Sequence, residues 1–390
     1  MSLTAAYSAV QASFWMSYCV AVSFAAVYLQ GLGYSNAALG AVLAAGNLFG
    51  ALLGPALSAL IDRYDRFTAA RLTPVVLAAQ AAPLTLLVLT PPAGAATSAL
   101  FALYIAFSLS VNSLNLKLYS DAAYAGAAVD YGFARGMGSL AYVLASVLLG
   151  AWVERASVRA VPVAGLALCA LQCAAFFRFA RRMPATGAAK ADAPARGATM
   201  TAFMRGNRRF CVLLLGTALL FFAHNIVCNF LINITRNVGG DTGTMGVLNG
   251  FMAAVEIPVM LLYSRLFGKR SSASLLRVAF VCFTLKTAAV AAAPSVPLLA
   301  AAFLLQAPSF ALYTAAIVPY VAASVAREDS AKAQSLAFTM TTVGSVLASV
   351  LGGRLFDTVS VTATLWIACA VCAAGSAIAL LGVKGSGKNA

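Results

Sequence analysis

Charged residues are scarce in this chain of 390 residues: only 9% of it is Asp, Glu, Lys or Arg, and it contains a single histidine. Soluble domains are about a quarter charged and about half apolar. Here 62% of the residues are hydrophobic and the mean hydropathy is +0.89. A water-soluble fold cannot bury that much apolar surface, because the size of a domain limits the fraction of its surface that folding removes from water. The composition therefore excludes an ordinary soluble domain and indicates an integral membrane protein.

Motifs that carry enzymatic chemistry are also missing. The sequence has no Gly-x-x-x-x-Gly-Lys-Ser/Thr phosphate loop, so no ATP-driven step is indicated. No nucleophile, histidine and acid form a catalytic pattern, which makes an enzyme the least favoured class. The cysteines lie in apolar stretches, and Cys369 and Cys372, although at redox spacing, have no metal-binding His or Asp beside them. We therefore expect no cofactor and no metal site.

Long apolar runs are abundant instead. A helix needs about 20 apolar residues to cross the hydrocarbon core of a bilayer. Twelve such runs can be identified, and they are apolar on nearly all sides, which favours helices over alternating barrel strands. The predicted fold is an all-α integral membrane protein, with twelve transmembrane helices in two pseudo-symmetric six-helix bundles. The first run lacks a basic leader and a clean cleavage site, so it is interpreted as a span rather than a signal peptide. The predicted spans are approximately 8–30, 37–61, 69–90, 96–118, 132–154, 159–181, 209–233, 243–267, 273–293, 297–324, 332–355 and 360–383.

The distribution of Lys and Arg predicts the orientation. With a cytoplasmic N-terminus, nearly all of the 26 basic residues fall on the cytoplasmic side, as the positive-inside rule requires. This asymmetry accounts for the net charge of +15 without a nucleic-acid partner. We predict a monomer in the cytoplasmic membrane, with both termini cytoplasmic and the lipid bilayer as its surroundings. The exceptions to the rule are Arg155, Arg159, Arg236 and Arg354 on the outer side and Lys286 inside a span.

One long hydrophilic stretch interrupts the pattern of spans. It reads "RRMPATGAAKADAPARGATMTAFMRGNRR" from Arg181 to Arg209, and it is rich in Pro, Gly, Ala and basic residues. Such a composition is typical of a mobile linker. The predicted organisation is an N-terminal bundle over 1–181, a cytoplasmic linker over 182–207 and a C-terminal bundle over 208–390.

A phrase recurs in the two halves. "VLASVLLGAWVER" begins at Val143 in the fifth span, and "VLASVLGGRLFD" begins 203 residues later at Val346 in the eleventh. The equivalent positions indicate duplication of a six-span unit. Parallel repeats of this kind occur in transporters whose substrate site lies near the membrane midplane. Chance similarity is the alternative, since small and aliphatic residues are common in membrane helices.

A motif at the start of the fifth span carries a resemblance to a known family. The segment "DYGFARGMGSLAYVLASVLLG" contains Tyr131, Gly132, Arg135, Gly138 and Ser139 in the pattern Tyr/Phe-Gly-x-x-Arg-x-x-Gly-Ser/Cys. With two six-span halves and a basic linker, the chain resembles the major facilitator superfamily. Within it, the motif resembles the branch that contains lactose permease and the nucleoside and phenylpropionate proton symporters. This resemblance implies a secondary transporter.

The resemblance also implies roles for particular residues. Arg135 matches a solute-binding arginine and Tyr142 an aromatic platform, and the paired donors of a guanidinium suit such a contact. The alternatives are that Arg135 anchors the cytoplasmic end of its span and that Tyr142 is a core residue. In the loop "SALIDRYDRF", Asp62 and Arg63 match the superfamily's conformational loop, although its glycines are replaced.

Other positions depart from the permease. Lys117 and Asn115 lie at or near the position of the acid that pairs with the permease's helix-five arginine, and Asp121 follows a turn later. The permease's helix-ten His and Glu fall on Gln306 and Ser309. The galactoside site and that proton relay are therefore not reproduced. Asn115 and Gln306 are candidate solute contacts, and Asp121 is a candidate proton carrier.

Polar residues within the spans are functional candidates by default, because a charge at the centre of a membrane helix costs about 2.5–3.5 kcal/mol on insertion scales. Glu256 lies mid-way along the eighth span and Lys286 along the ninth, while His224 and Asn225 lie in the seventh. We predict ion-coupling roles for Glu256, Lys286 and His224, and a solute contact for Asn225. The alternatives are a structural Glu256–Lys286 pair and a hydrogen-bonded packing role for His224.

The sequence as a whole predicts a secondary active transporter that moves a small organic solute by alternating access. The fifth span lacks the Gly-Pro-x-x-x-Gly-Gly signature of drug antiporters, which favours proton-coupled uptake. An efflux antiporter and a non-transporting sensor or scaffold of the same fold remain as alternatives. A titratable acid within the spans favours transport over the scaffold.

Overall fold

The computed structural model describes residues 2–64, 66–89, 94–183, 199–268 and 270–383. Throughout these ranges the chain is helical and contains no strand. Short π-helical segments cover Cys19–Ser23 and Ala307–Ala311, and 3₁₀ turns cover Leu304–Gln306 and Arg327–Asp329. The α-helices are α1 Leu3–Tyr18, α2 Ala25–Gly31, α3 Asn36–Arg63, α4 Ala69–Leu89, α5 Ala95–Tyr124, α6 Tyr131–Arg155, α7 Ala160–Ala180, α8 Met200–Gly206, α9 Arg208–Asn229, α10 Leu231–Asn237, α11 Thr242–Phe267, α12 Ser272–Ala292, α13 Val296–Phe303, α14 Leu312–Ser324, α15 Ser330–Thr358 and α16 Val361–Gly382.

These helices confirm the predicted membrane fold. Among the described residues, 11 helical segments are long and apolar enough to cross a membrane, and a bent pair, Leu3–Ser23 with Ala25–Gly31, brings the number to 12. Each one overlaps a predicted span. Continuous apolar sequence forms helix here because a helix satisfies every backbone polar group within its own segment.

Contacts divide the chain into two compact units. The first unit comprises Met1–Ala191 together with Gly240–Ala253, and the second comprises Asp192–Gly239 together with Ala254–Ala390. The first unit therefore holds α1–α7 and the beginning of α11. The second holds α8–α10, the remainder of α11 and α12–α16. The first division lies within the predicted linker 182–207, whereas Gly240–Ala253 falls inside the predicted C-terminal bundle. The predicted bounds 1–181 and 208–390 stay predictions.

Close helix packing in the first unit relies on a glycine stripe along α3. Gly46, Gly50 and Gly54 lie one turn apart and face α5, and a Cβ added at Gly46 would lie 2.7 Å from the Cβ of Ile105. At Gly50 the added Cβ would lie 2.7 Å from Leu109 Cδ1. In lipid, helices associate through close packing rather than hydrophobic exclusion, so small residues at the contact allow the backbones to approach. The stripe explains why α3 and α5 pack closely.

Glycines have the same role in the second unit, where α9 packs against α15 and α16. A Cβ at Gly216 of α9 would lie 2.4 Å from the backbone nitrogen of Ala379 in α16. A Cβ at Gly344 of α15 would lie 2.4 Å from the carbonyl oxygen of Ala218 in α9. Because the obstructing atoms belong to the backbone, larger residues at these positions would push the helices apart.

The first helix of each half is interrupted at an equivalent place. The first span bends by 42° after its π-helical segment, where Phe24 has φ −98° and ψ 3°. The seventh span breaks at Phe230, with φ −115° and ψ 26°. The two breaks are 206 residues apart, close to the 203-residue offset of the repeated phrase. No proline lies at either break. The recurrence of the break supports duplication of a six-span unit.

The predicted linker is partly helical. Residues 184–198 lie outside the described part of the chain. The end of the linker forms α8, whose N-terminus is capped by Thr199 Oγ1 accepting from the backbone N–H of Ala202 at 3.4 Å. Phe203 of α8 is 1% exposed and packs edge-on against Phe210, with 6.1 Å between the ring centroids. One buried aromatic side chain and a cap stabilise this short helix, which the composition of the linker did not predict.

Candidate solute and proton sites

Four of the predicted site residues form one hydrogen-bonded chain within the second unit. Gln306 Nε2 donates to Glu256 Oε1 at 2.8 Å, and Lys286 Nζ donates to Gln306 Oε1 at 2.9 Å. Lys286 Nζ also lies 2.8 Å from His224 Nδ1. The four side chains come from α11, the irregular segment between α13 and α14, α12 and α9. The structure thus links a carboxylate to an ammonium through a single amide.

Gln306 is positioned by the irregular centre of the tenth span. A 3₁₀ turn, Leu304–Gln306, is followed directly by a π-helical segment that contains Pro308. Proline lacks a backbone N–H and disrupts a regular helix, and π-helical bulges occur frequently at functional sites. The Gln306 side chain is 2% exposed, so the interruption delivers an amide into the interior of the unit. Sequence comparison flagged this position but did not predict the bridge.

Lys286 is a buried cation. It is 1% exposed and its Nζ is surrounded by the Gln306 carbonyl, the His224 ring and the face of Phe283. An ammonium has three hydrogens and no lone pair, so a charged Lys286 assigns His224 Nδ1 as the acceptor and the ring proton to Nε2. A charge held in such surroundings requires a counter-charge, and Glu256 at the other end of the Gln306 amide supplies it.

The His224 imidazole is held in place by aromatic rings. It stacks on Phe310 with 4.7 Å between centroids and 15° between the planes, and Phe283 meets it edge-on at 5.8 Å. Its Nε2 lies 3.6 Å from Cys228 Sγ, one turn along α9. These contacts hold the ring in one orientation, so His224 serves as an oriented acceptor for Lys286. They also fit the packing role that the sequence left open.

Arg135, in the first unit, lies over an indole ring. Its guanidinium carbon is 3.9 Å from the centre of the Trp15 ring, and its Nη1 donates to Ser139 Oγ at 2.7 Å. A Cβ added at Gly138 would lie 2.5 Å from Trp15 Cδ1. The pattern Arg-x-x-Gly-Ser therefore has a physical reason: glycine admits the indole, and serine orients the guanidinium. Trp15 was not predicted, although it is one of only 3 tryptophans in the chain.

Tyr142 belongs to a separate polar cluster in the first unit. Its hydroxyl lies 2.6 Å from Ser23 Oγ, in the π-helical segment of the first span. It also accepts from Asn249 Nδ2 at 3.1 Å. Asn249 Nδ2 lies 2.9 Å from Ser146 Oγ as well, and Ser146 in turn donates to the backbone carbonyl of Gly246 at 2.8 Å. Tyr142 is thus positioned by the first span and by α11, and Asn249 is a polar residue that the sequence did not single out.

The serine in the repeated phrase accepts from an asparagine amide in both halves. Ser146 and Ser349 are both 0% exposed. Ser146 Oγ accepts from Asn249 Nδ2, and Ser349 Oγ accepts from Asn229 Nδ2 at 3.0 Å. In each unit a buried hydroxyl therefore binds an asparagine amide on another helix. This shared interaction gives the duplicated phrase a structural role.

The remaining predicted site residues lie apart from these clusters. Asn115 is 1% exposed and lines a small internal cavity, while Asn225 Nδ2 donates to the Phe221 carbonyl of its own helix at 2.7 Å. Asp121 is half-buried near the end of α5. Asp62 accepts from Lys117 Nζ at 2.7 Å across α3 and α5, and Arg63 lies exposed, 5.4 Å from the centre of the Tyr64 ring. Asn115 belongs to the first unit and the chain around Glu256 to the second, and the predicted solute contacts of Asn115 and Asn225 stay predictions.

Comparison with known proteins agrees with this fold. The profile of the MFS_1 like family matches residues 14–368, and the chain belongs to this family. The nucleoside transporter NupG has the same fold, with a TM-score of 0.78 and 15% identity over 99% of this chain and 100% of that one. An auto-inhibited POT family peptide transporter aligns with a TM-score of 0.72 and 12% identity over 97% and 96% of the two chains. A bacterial homolog of the human lysosomal transporter Spinster, inward-facing and unoccupied, aligns at 0.68 and 13% over 98% and 96%. No curated protein sequence matches the chain.

The family and the fold define the class of protein. The chain is a multi-pass membrane transporter of the major facilitator type, and it acts on a small molecule rather than catalysing a reaction. The identities to the solved transporters establish a shared fold and leave the solute to be argued from the site.

Proposed function

We propose that this protein is a proton-coupled symporter that takes up a small polar organic solute across the cytoplasmic membrane by alternating access. The observation that carries the proposal is the chain Glu256–Gln306–Lys286–His224, since it places one titratable acid opposite a buried cation. A transporter that uses a proton gradient needs a group whose charge changes inside the membrane, and intramembrane acids are the usual carriers.

Glu256 is the proton carrier in this proposal. When it is ionised, its carboxylate accepts a charge-assisted bond from Gln306, and such bonds are about twice as strong as neutral ones. The negative charge balances Lys286 through the amide. When Glu256 is protonated, that bond weakens and Lys286 remains as an uncompensated cation. Protonation of Glu256 therefore changes the free energy of the packed helices that carry Glu256, Gln306 and Lys286. Such a change is what coupling a proton to a conformational change requires.

The solute contact proposed for the first unit is the guanidinium of Arg135. It offers several donors in a fixed plane, and its position against Trp15 combines a charge with an aromatic surface. These groups suit a planar solute that also carries hydroxyl or carboxyl oxygens. NupG is a nucleoside transporter and shares this fold, which supports testing nucleosides first. Gln306 and Tyr142 remain candidate solute contacts, because a solute can replace the neighbouring side chains as their hydrogen-bond partners.

The orientation completes the proposal. The excess of Lys and Arg on one side of the spans supports cytoplasmic termini and a cytoplasmic linker. The chain also supplies both six-helix halves of a transporter by itself, and this supports a monomer.

A test begins with the solute. The purified protein is heated with nucleosides, sugars, dipeptides and aromatic acids, because a ligand that binds the folded state raises the melting temperature. We expect one class to stabilise the protein. That compound is then used, radiolabelled, with protein reconstituted in liposomes. If no compound from these classes stabilises the protein, the proposal of a small polar organic solute is contradicted.

Coupling is tested with Glu256→Gln. This variant mimics the protonated acid permanently, so solute should still exchange across the membrane while uphill accumulation driven by a pH gradient disappears. Glu328→Gln is the matched control, since Glu328 is an exposed acid outside the spans, and it should accumulate solute normally. Normal accumulation by Glu256→Gln would exclude Glu256 as the carrier. Accumulation against an opposite gradient would indicate antiport instead of symport.

A further inference from the structure

A small cavity with a polar lining lies inside the first unit, among α1, α4, α5 and α7. It offers about 10 Å³ to the centre of a water-sized sphere, and one buried water needs roughly 10–15 Å³ on that measure. The cavity therefore has room for a single small molecule and not for an organic solute. Its polar lining residues are Ser13, Thr73, Asn115 and Gln172, and its apolar ones are Val10, Leu77, Val111 and Phe176.

Two amides in this lining have atoms without a hydrogen-bond partner among the described residues. These atoms are Asn115 Nδ2 and both the Nε2 and the Oε1 of Gln172. Asn115 is 1% exposed and Gln172 is 4% exposed, so bulk solvent does not reach them. Native proteins rarely leave buried polar groups unpaired, and an ordered ligand is the usual explanation when they do.

The hydroxyls in the cavity restrict what the ligand can be. Ser13 Oγ donates to the carbonyl of Val10 at 3.1 Å, and Thr73 Oγ1 donates to the carbonyl of Ala69 at 2.8 Å. Their hydrogens are used, so they offer only lone pairs to the cavity. The site as a whole therefore presents both donors and acceptors, and none of its lining residues is charged. A cation would meet amide hydrogens, and an anion would meet lone pairs.

We propose that this cavity is a binding site for one ordered water molecule, which bridges the amides of Asn115 and Gln172. A water both donates and accepts, and buried waters typically make about 3 hydrogen bonds to otherwise unsatisfied groups. The bridge connects α5 to α7 in the interior of the first unit. It gives Asn115 a role in holding helices together, and it does not depend on the proposed proton coupling.

Paired substitutions test the bridge. Asn115→Leu and Gln172→Leu each remove one partner, so each should lower the melting temperature by roughly 2–12 °C. The double variant removes both amides and the water, so its loss should be clearly smaller than the sum of the single losses. The matched control is Gln80→Leu combined with Asn115→Leu. Gln80 is 0% exposed and donates to Ser17 Oγ at 3.0 Å outside this cavity, so those losses should add. Additive losses for Asn115 and Gln172 would overturn the proposal.

Two measurements on the unaltered protein are independent of how the variants fold. A high-resolution density map should show one peak within hydrogen-bonding distance of both amides, and a map without such a peak would refute the bridge. Melting temperatures in sodium and choline chloride of equal strength should coincide. A rise that is specific to sodium would identify a cation site and reject water.

Discussion

Removing the charge of Glu256 while Lys286 stays buried should destabilise the folded protein. Glu256→Gln retains an oxygen that can accept from Gln306 but leaves Lys286 without a counter-charge. The contacts of Lys286 Nζ at 2.9 Å and 2.8 Å are then to neutral groups. Breaking a fully buried ion pair by removing one partner costs about 3–5 kcal/mol. Glu256 is only partly buried, so we expect about 2–3 kcal/mol.

This free energy corresponds to a measurable change in melting temperature. At roughly 2–4 °C per kcal/mol for chains of 150–250 residues, Glu256→Gln should melt roughly 4–12 °C lower than the unaltered protein in detergent. The double variant Glu256→Gln with Lys286→Gln removes both charges, and replacing a whole buried pair is often neutral. It should therefore recover most of the loss. A double variant that melts at the sum of the two single losses would refute the reasoning that these residues balance each other. The exposed control Glu328→Gln should melt unchanged.

Two further predictions concern solute binding and orientation. Arg135→Lys keeps the charge and loses the planar guanidinium, so transport should fall at least about tenfold, as expected for a loss of about 1.4 kcal/mol, with normal expression. Arg205→Lys, at an exposed position of α8, should transport normally, and unchanged uptake by Arg135→Lys would return Arg135 to an anchoring role. In sealed cells, single cysteines introduced at Gly94 and Gly240 into a cysteine-free background should react with an impermeant reagent while a cysteine at position 190 is protected. Labelling of position 190 from outside would reverse the orientation.

The chemistry of the second unit was partly accessible from sequence. Glu256, Lys286 and His224 stand out because a charged or titratable group in a long apolar run needs a reason to be there. Their depth along neighbouring spans also suggested that Glu256 and Lys286 interact. The connection through Gln306 was not accessible, since it depends on a 3₁₀ turn and a π-helical segment around Pro308. A local change of helix type rotates the side chains near it about the helix axis. The hydropathy of the sequence does not reveal that rotation.

The first unit shows the same limit for single residues. Arg135, Gly138 and Ser139 form a motif that sequence comparison can find, but the reason for the motif is Trp15, more than one hundred positions earlier in the chain. Asn115 stands at a spacing that matches a family pattern. In the structure it lines an internal cavity with Gln172, which nothing in its neighbourhood in the sequence indicates.

The sequence by itself determined the membrane class, the apolar spans, the repeated phrase and the family, because each of these depends on apolar runs, charge counts or short motifs that are continuous along the chain. Tertiary structure decided which side chains meet. In a helix that is apolar all round, the sequence pattern does not show which face points to the interior. Successive residues are rotated by about 100° about the helix axis, and this rotation decides whether a polar group meets a partner. That is why Glu256, Gln306, Lys286 and His224, spread over four spans, became one hydrogen-bonded chain only in the folded protein.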